Sequence, residues 1–458
     1  MAKMKAASGF RDFLPDACRK RADLMRRIKA TYEAFGYEPI ETPALENLAV
    51  FLGKGGGENE KLMYKLLKRG EKLQRALETG VKEENDLADA GLRFDLTVPL
   101  ARFFAEHRAE LPTPFKRYHI GPVWRAERAQ HGRFREFIQC DVDAIGSGSM
   151  MVESDVLLAT ATALSELGFS GLEVKLNSRA LLHLLVGAAG VAEAQRGETI
   201  TALDKLEKIG ADGVRGELAQ RGVPGEAAAR LLEFYAASRA SAGLNLLDET
   251  GRNIAAWSGA SAEAELAGLR EVLELTPDLP SGKLVFDPFL ARGLDYYTGP
   301  VFEVAAEGVP FSLAGGGRYD EMVGNFTGQP TPACGFSIGF ERICTVMDER
   351  GMFGAGARAA DVLVAALDDA RPVERAAIEL GQALRKAGLR ADVFPGQAKP
   401  ARLYELAEKK GIPILAQLGG RELQDGAVQV RDLKTRQSAQ VPRDAVAAHV
   451  RKILDPAG

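Results

Sequence analysis

The chain has 458 residues, enough for two or three domains of ordinary size around a substantial core, and a formal net charge of −4 excludes a generally basic surface, so any nucleic-acid partner must be met by local patches. Four cysteines, Cys18, Cys140, Cys334 and Cys344, stand far apart with no C-x-x-C pair, which speaks against a disulfide framework and against zinc and fits a reducing cytoplasm. No apolar signal-peptide core and no run near the roughly 18 apolar residues of a membrane span occur, so a soluble, cytoplasmic protein without membrane contact is expected.

Residues 8 to 36 begin with a short turn; Pro15 and Asp16 then open an amphipathic helix on Leu24, Ile28 and Tyr32, which Gly36 stops. YEPIETPALE follows as an extended, proline-punctuated segment. GKGGG at 53 to 57 lacks the G-x-x-x-x-G-K-[ST] pattern of a phosphate-binding loop and reads as a mobile loop. Residues 58 to 90 are dominated by Lys and Glu and include a helical run, KLMYKLLKRGEKLQRALETG, to which no chemistry is assigned. In LRFDLTVPL, Phe94, Leu96 and Val98 alternate with Arg93, Asp95 and Thr97, which predicts a short strand with Asp95 and Thr97 on one face.

Residues 115 to 146, FKRYHIGPVWRAERAQHGRFREFIQCDVDAIG, predict two strands joined by a charged loop. On the first, Tyr118, Ile120, Pro122 and Trp124 form an apolar set expected to pack, opposite Arg117, His119 and Arg125. On the second, Ile138, Cys140 and Val142 oppose Phe137, Gln139, Asp141 and Asp143, so Gln139 and Asp143 point the same way. The loop sets Arg125, Arg128, Arg133 and Arg135 against a single carboxylate, Glu127, and suits anions.

A helix from Met151 and a strand, LEVKLNS, come next; residues 178 to 256 are Ala-rich, Leu-studded and helical, with His183 expected as a core histidine beside Leu182 and Leu185. VFEVAA and PFSLAGG predict a hairpin around Glu307 and Gly308, and Gly315 to Gly317 can let backbone approach a ligand. Phe340, Ile343, Cys344 and Met347 mark a helix buried on one face, with Arg342 off the stripe. After a linker at 351 to 358, residues 359 to 458 alternate strands and helices as a separate, mostly parallel α/β domain. From Lys399 to Lys452 eleven Lys/Arg stand against six Asp/Glu, a local basic excess of five suited to RNA.

The pattern F-K-R-Y-H-I…V-W-R-A-E-R…G-R-F-R-E-F-I-Q-C-D-V-D resembles motif 2 of class II aminoacyl-tRNA synthetases, and with A-R-G-L-D-Y-Y-T-G from Ala291 it resembles the histidyl-tRNA synthetase family. The resemblance covers nearly the whole chain and departs from the family in the 58 to 90 insertion, in a motif 2 loop shorter than some relatives carry, and in Asp rather than Glu at Asp95 and Asp143. It implies an α/β (α+β) protein: an antiparallel-sheet catalytic domain in two parts (1 to 177 and 257 to 350), a helical insertion domain at 178 to 256, and an anticodon-binding domain at 359 to 458. By resemblance Arg125 and Arg292 are catalytic and hold the α-phosphate. Asp95 and Thr97 bind the α-amino group, with Leu96 between them in the histidine site, Arg292 binds the carboxylate, Gln139 and Asp143 read histidine, and Tyr296 and Tyr297 line the imidazole pocket. Glu127 lies by the adenine, Phe137 stacks on it, Arg133 or Arg135 reaches the outer phosphates, and Arg342 holds the γ-phosphate. The implied substrates are ATP with Mg2+, L-histidine and tRNA(His), with no tightly bound cofactor and no zinc. The helix and extended segment up to Pro43 resemble motif 1, which implies a homodimer. A second reading is the histidine-sensing, synthetase-like regulatory subunit of ATP phosphoribosyltransferase, which lacks the C-terminal domain and the catalytic arginines; a third is a class II-like amide ligase without RNA.

Overall fold

Helix α1 (Pro15–Ala34) starts on a proline, whose missing N–H would be unpaired in a first turn anyway, and buries Leu24, Ile28 and Tyr32 at spacings of four. Gly36, at φ +76°, supplies the left-handed stop. The computed structural model describes residues 5–52, 62–128, 134–276, 278–291, 297–353 and 358–455. Arg133, Arg292, Tyr296 and the GKGGG segment lie outside them. Contacts divide the chain into two units, Met1–Asp12 with Leu24–Met352, and Phe13–Asp23 with Phe353–Gly458.

In the first unit the chain runs through β1 (Glu38–Pro39), β2 (Leu45–Asn47), α2 (Leu48–Phe51), β3 (Lys65–Leu67), α3 (Glu71–Thr79), β4 (Ala88–Leu92) and α4 (Thr97–His107). The hairpin strands β5 (Phe115–Trp124) and β6 (Glu136–Ile145), helix α5 (Met151–Glu166) and β7 (Leu172–Ser178) follow. Six helices come next: α6 (Arg179–Ala188), α7 (Glu193–Leu203), α8 (Leu206–Gln220), α9 (Gly225–Ser238), α10 (Gly243–Ser258) and α11 (Glu263–Leu275). The helical run thus continues to Leu275, past residue 256. β8 (Gly282–Phe286), β9 (Pro300–Ala305), β10 (Ala314–Arg318), α12 (Asp320–Thr327), β11 (Ala333–Ile338) and α13 (Phe340–Glu349) close the unit.

Eight strands form one sheet in the order β1-β5-β6-β11-β10-β9-β7-β8, antiparallel except for the outermost pair at each end. Its centre is drawn tight by glycine: a Cβ at Gly316 would stand 2.1 Å from the Gly335 carbonyl oxygen on β11. Gly316 therefore serves close strand packing in the sheet, and Gly315 and Gly316 also line the cavity described below, where their bare backbone can approach a ligand as expected.

Four local expectations change. Residues 93 to 96 are not a strand: Thr97 begins α4, because Asp95 Oδ1 accepts the Val98 N–H at 3.3 Å and Pro99 falls in the first turn, where no N–H is needed. The run from Lys61 divides into β3 and the exposed helix α3, parted by Gly70 at φ +57°. On β5 the polar side is buried as well, with Arg117 0% and His119 3% exposed, while of the apolar set Tyr118 is buried and Ile120, Pro122 and Trp124 are half-buried. Gly121 leaves the space that Arg93 and His119 fill, since a Cβ there would stand 2.9 Å from Arg93 Nη2 and 3.0 Å from His119 Nε2. β9 and β10 pair from Val304 with Ala314, so the hairpin has a wide loop and residues 310 to 313 are outside the strand.

The second unit holds β12 (Val362–Ala366), α14 (Arg371–Lys386), β13 (Ala391–Gln397), α15 (Pro400–Lys410), β14 (Ile414–Leu418), α16 (Gly420–Gln424), β15 (Ala427–Asp432), β16 (Ser438–Pro442) and α17 (Val446–Leu454). Strand order is β13-β12-β14-β15-β16. β13, β12 and β14 run parallel as expected; β16, absent from the sequence reading, pairs with β15 in an antiparallel edge.

Candidate active site

Alternation on β6 turns Phe137, Gln139, Asp141 and Asp143 toward one cavity of about 450 Å³. β11 supplies the facing register: Ser337 stands opposite Asp141, and Gly335 opposite Asp143. A side chain at Gly335 would collide with Asp143, its Cβ 1.9 Å from Oδ1, so glycine there makes room for the carboxylate. Of the residues singled out in the sequence, Thr97, Arg125, Glu127, Phe137, Gln139, Asp143, Tyr297 and Arg342 all line this cavity. Segments more than two hundred residues apart thereby meet at one place.

The cavity is polarised. Arg125 donates Nε–H to the Phe94 carbonyl at 3.0 Å and lies over the Phe137 ring, 5.0 Å from its centroid. Arg342 donates to the Ser312 carbonyl at 3.0 Å and lies 5.4 Å from the Phe311 ring centroid. These bonds to carbonyls orient the two guanidinium groups. On the acidic side, Arg117 and Asp143 approach to 2.7 Å in an ion pair outside hydrogen-bonding angles, and the Tyr319 hydroxyl donates to Asp143 Oδ1. Burial still raises the Asp143 pKa against the pull of Arg117. Burial, then the neighbouring Asp143 charge, lifts Asp141 to about 7, and burial lifts Asp95 to about 6. His119 is held neutral, its pKa lowered to about 3 by burial and then by Arg117 and Arg93.

Some expected residues stand elsewhere. Asp95 and Leu96 are fully buried behind Thr97. Arg135 does not line the cavity; its Nε donates to the Glu127 carbonyl at 3.1 Å and its Nη1 to the Ser8 carbonyl at 3.2 Å. His183 is half-buried on α6, its pKa lowered by burial. Conversely, Tyr319, Ser337 and Glu341 line the cavity without a forewarning signal. Glu341 receives Arg11 at 2.6 Å and the Ile138 N–H at 3.3 Å. Tyr319 stands among charged residues after the glycine run and Glu341 beside Arg342, and no periodicity marks either as a site group. Arg93 is a further omission: it reaches the carbonyls of Thr42 at 2.6 Å and Pro122 at 2.9 Å, tying three segments under the site.

An acidic pocket beside an arginine-lined, aromatic-walled chamber can hold a ligand cationic at one end and bring its anionic end against a second, polyanionic ligand. Among the described residues no cluster of His, Cys, Asp or Glu able to hold a metal ion occurs, and no helix is long and apolar enough to cross a membrane.

Residues 9–343 match the family model of histidyl-tRNA synthetase, and residues 361–453 that of the anticodon binding domain. The chain is 42% identical over 373 residues to a histidine–tRNA ligase of Leifsonia xyli subsp. xyli, covering 80% of this chain and 84% of the relative. It is 36% identical to one of Gloeobacter violaceus, covering 96% and 97%. The crystal structure of a histidyl-tRNA synthetase from Nostoc sp. superposes with a TM-score of 0.80 at 26% identity, over 99% of this chain and 100% of that one.

Proposed function

The chain belongs to the histidyl-tRNA synthetase family, and from that premise we propose how its cavity activates histidine. The activity is that of a histidine–tRNA ligase: L-histidine and ATP give histidyl-adenylate and pyrophosphate, and the histidyl group passes to the 3′ end of tRNA(His). The observation that carries the site assignment is the meeting of Arg125, Gln139, Asp143, Tyr297 and Arg342 around one cavity.

In the first step a carboxylate oxygen of histidine attacks the α-phosphorus and the bond to the bridging oxygen breaks, releasing pyrophosphate. Two anions must be brought together, so the step needs preorganised positive charge and positioning, and no general base. Arg125, held by the Phe94 carbonyl, supplies that charge at the α-phosphate, with Arg292 as its partner. Phe137 stacks on the adenine from the side opposite Arg125, Glu127 lies at the base edge, and Arg342 takes the γ-phosphate. Arg133 serves the outer phosphates; Arg135 does so only on leaving the carbonyls of Glu127 and Ser8. Magnesium would enter with ATP as the substrate complex and would offset the charge of its phosphates beside Arg125 and Arg342.

Asp143, held between Arg117 and Tyr319, accepts a hydrogen bond from the imidazole, with Tyr296 and Tyr297 closing the ring pocket. Such a site disfavours side chains that leave these buried groups unpaired. Thr97, with Asp95 and Leu96 behind it, and Gln139 serve the amino end. In the second step the terminal ribose hydroxyl attacks the acyl carbon and AMP leaves. The C-terminal unit binds the anticodon arm, residues 178 to 256 brace the acceptor arm, and the segment up to Pro43 forms a homodimer in the cytoplasm.

Histidine-dependent ATP–pyrophosphate exchange, followed by charging of tRNA(His), tests this reading. Histidine binding without exchange would instead mark a regulatory, non-catalytic protein. Against that alternative stand Arg125 and Arg342 in the cavity and full-length similarity to ligases that includes the C-terminal unit.

A further inference from the structure

Asp141 sits between Gln139 and Asp143 on the cavity wall, yet its electrostatic position differs from that of Asp143. The Asp143 charge is already answered by Arg117 at 2.7 Å and by the Tyr319 hydroxyl. Asp141 is 2% exposed, has no ion pair among the described residues, and leaves one carboxylate oxygen without a hydrogen-bond partner. Its cross-strand neighbour His119 is neutral and offers no compensating charge. A buried carboxylate in that condition is costly until a cation arrives.

Ser337 sets the geometry. It faces Asp141 in register on β11, hydrogen-bonds to that carboxylate, and accepts from Gln139 Nε2 at 3.4 Å. The Gln139 amide oxygen is likewise buried without a partner. One hydroxyl therefore holds together an unneutralised carboxylate and an unsatisfied carbonyl oxygen.

We infer that Asp141, set by Ser337, is a further substrate-binding residue and takes the α-ammonium of the amino-acid substrate together with Gln139; the inference rests on the histidine-activating reading above. An ammonium brings one positive charge and three donors, matching a charged acceptor beside a neutral one. A neutral imidazole brings no charge and fits Asp143, which already has Arg117 and the Tyr319 hydroxyl as partners. The Asp141 pKa, raised to about 7 by burial and then by the Asp143 charge, agrees: a nearby cation would favour its charged form.

The test uses two competitive inhibitors of histidine-dependent pyrophosphate exchange on the full chain. Histidinol keeps the ammonium and lacks the carboxylate; 3-(imidazol-4-yl)propanoate keeps the carboxylate and lacks the ammonium. Asp141→Asn is expected to weaken histidinol roughly ten- to a hundredfold, the cost of a charge-assisted hydrogen bond, and to leave the des-amino compound unchanged. Equal weakening of both, or an unchanged histidinol constant, overturns the inference. Ser337→Ala is expected to move the ratio of the two constants in the same direction by less. Should Asp141→Asn fail to fold, an unchanged ratio in folded Ser337→Ala overturns the inference by itself. Absence of histidine-dependent exchange in the unsubstituted protein would instead refute the functional reading, before any variant is compared.

Discussion

Replacing Arg117 by methionine isolates the electrostatics beneath the cavity. Arg117 is 0% exposed and meets Asp143 at 2.7 Å, so Arg117→Met keeps much of the side-chain volume while leaving a buried carboxylate alone. Breaking a buried pair from one side costs about 3–5 kcal/mol. The carboxylate can escape by taking a proton, which sets a ceiling. At pH 7, protonating an aspartate with the ordinary value of 3.8 costs about 4 kcal/mol, at about 1.4 kcal/mol per pH unit, and at pH 5 under about 2 kcal/mol. The loss of stability is therefore capped at about 4 kcal/mol at pH 7 and should shrink on going to pH 5, by less than an isolated carboxylate would give because burial already raises the Asp143 pKa in the parent. The sign follows from proton binding: without Arg117 the folded state holds the Asp143 proton above 3.8 and the unfolded state does not, so rising pH favours unfolding. Urea denaturation followed by tryptophan fluorescence reads the correct unit, since both tryptophans, Trp124 and Trp257, lie in it. A penalty below about 1 kcal/mol at pH 7, or one independent of pH, would refute the reasoning.

Gly335→Ala puts a Cβ 1.9 Å from Asp143 Oδ1; it should cost about 1–3 kcal/mol of stability and raise the histidine KM far more than the ATP KM, and equal effects on both would speak against Asp143 as the imidazole reader. Arg292→Ala should lower the adenylation rate on the order of a hundred- to a thousandfold while changing ATP affinity little, because its charge matters most as the carboxylate attacks; exchange within a few-fold of the parent, in a variant of matching thermal stability, removes Arg292 from the catalytic role. Asp95 and Asp141, with pKa values raised to about 6 and about 7, contribute stability that is full below the unfolded value of 3.8 and is lost as pH rises through those values. The protein should accordingly lose stability between about pH 4 and about pH 7, and Asp141→Asn should lose less over the same range; parallel pH profiles would contradict the burial argument.

The sequence by itself determined the family, the β5–β6 hairpin and the cavity face of β6. Strand alternation is a local rule, so Gln139 and Asp143 could be aligned from spacing alone. The same rule misjudged 93 to 97, where Asp95 and Pro99 start a helix, and β5, where alternation separates two faces without saying which is buried. That outcome depends on what lies across the sheet: Arg117 is interior because Asp143 on β6 awaits it, and Gly121 is small because Arg93 and His119 need the space. Tyr319, Ser337 and Glu341 reach the cavity only because β10 and β11 pair beside β6, a contact between segments nearly two hundred residues apart. Tertiary structure alone also decided that Arg135 holds carbonyls of Glu127 and Ser8, since a guanidinium pairs with whichever acceptors the fold brings near, and spacing along the chain does not reveal them.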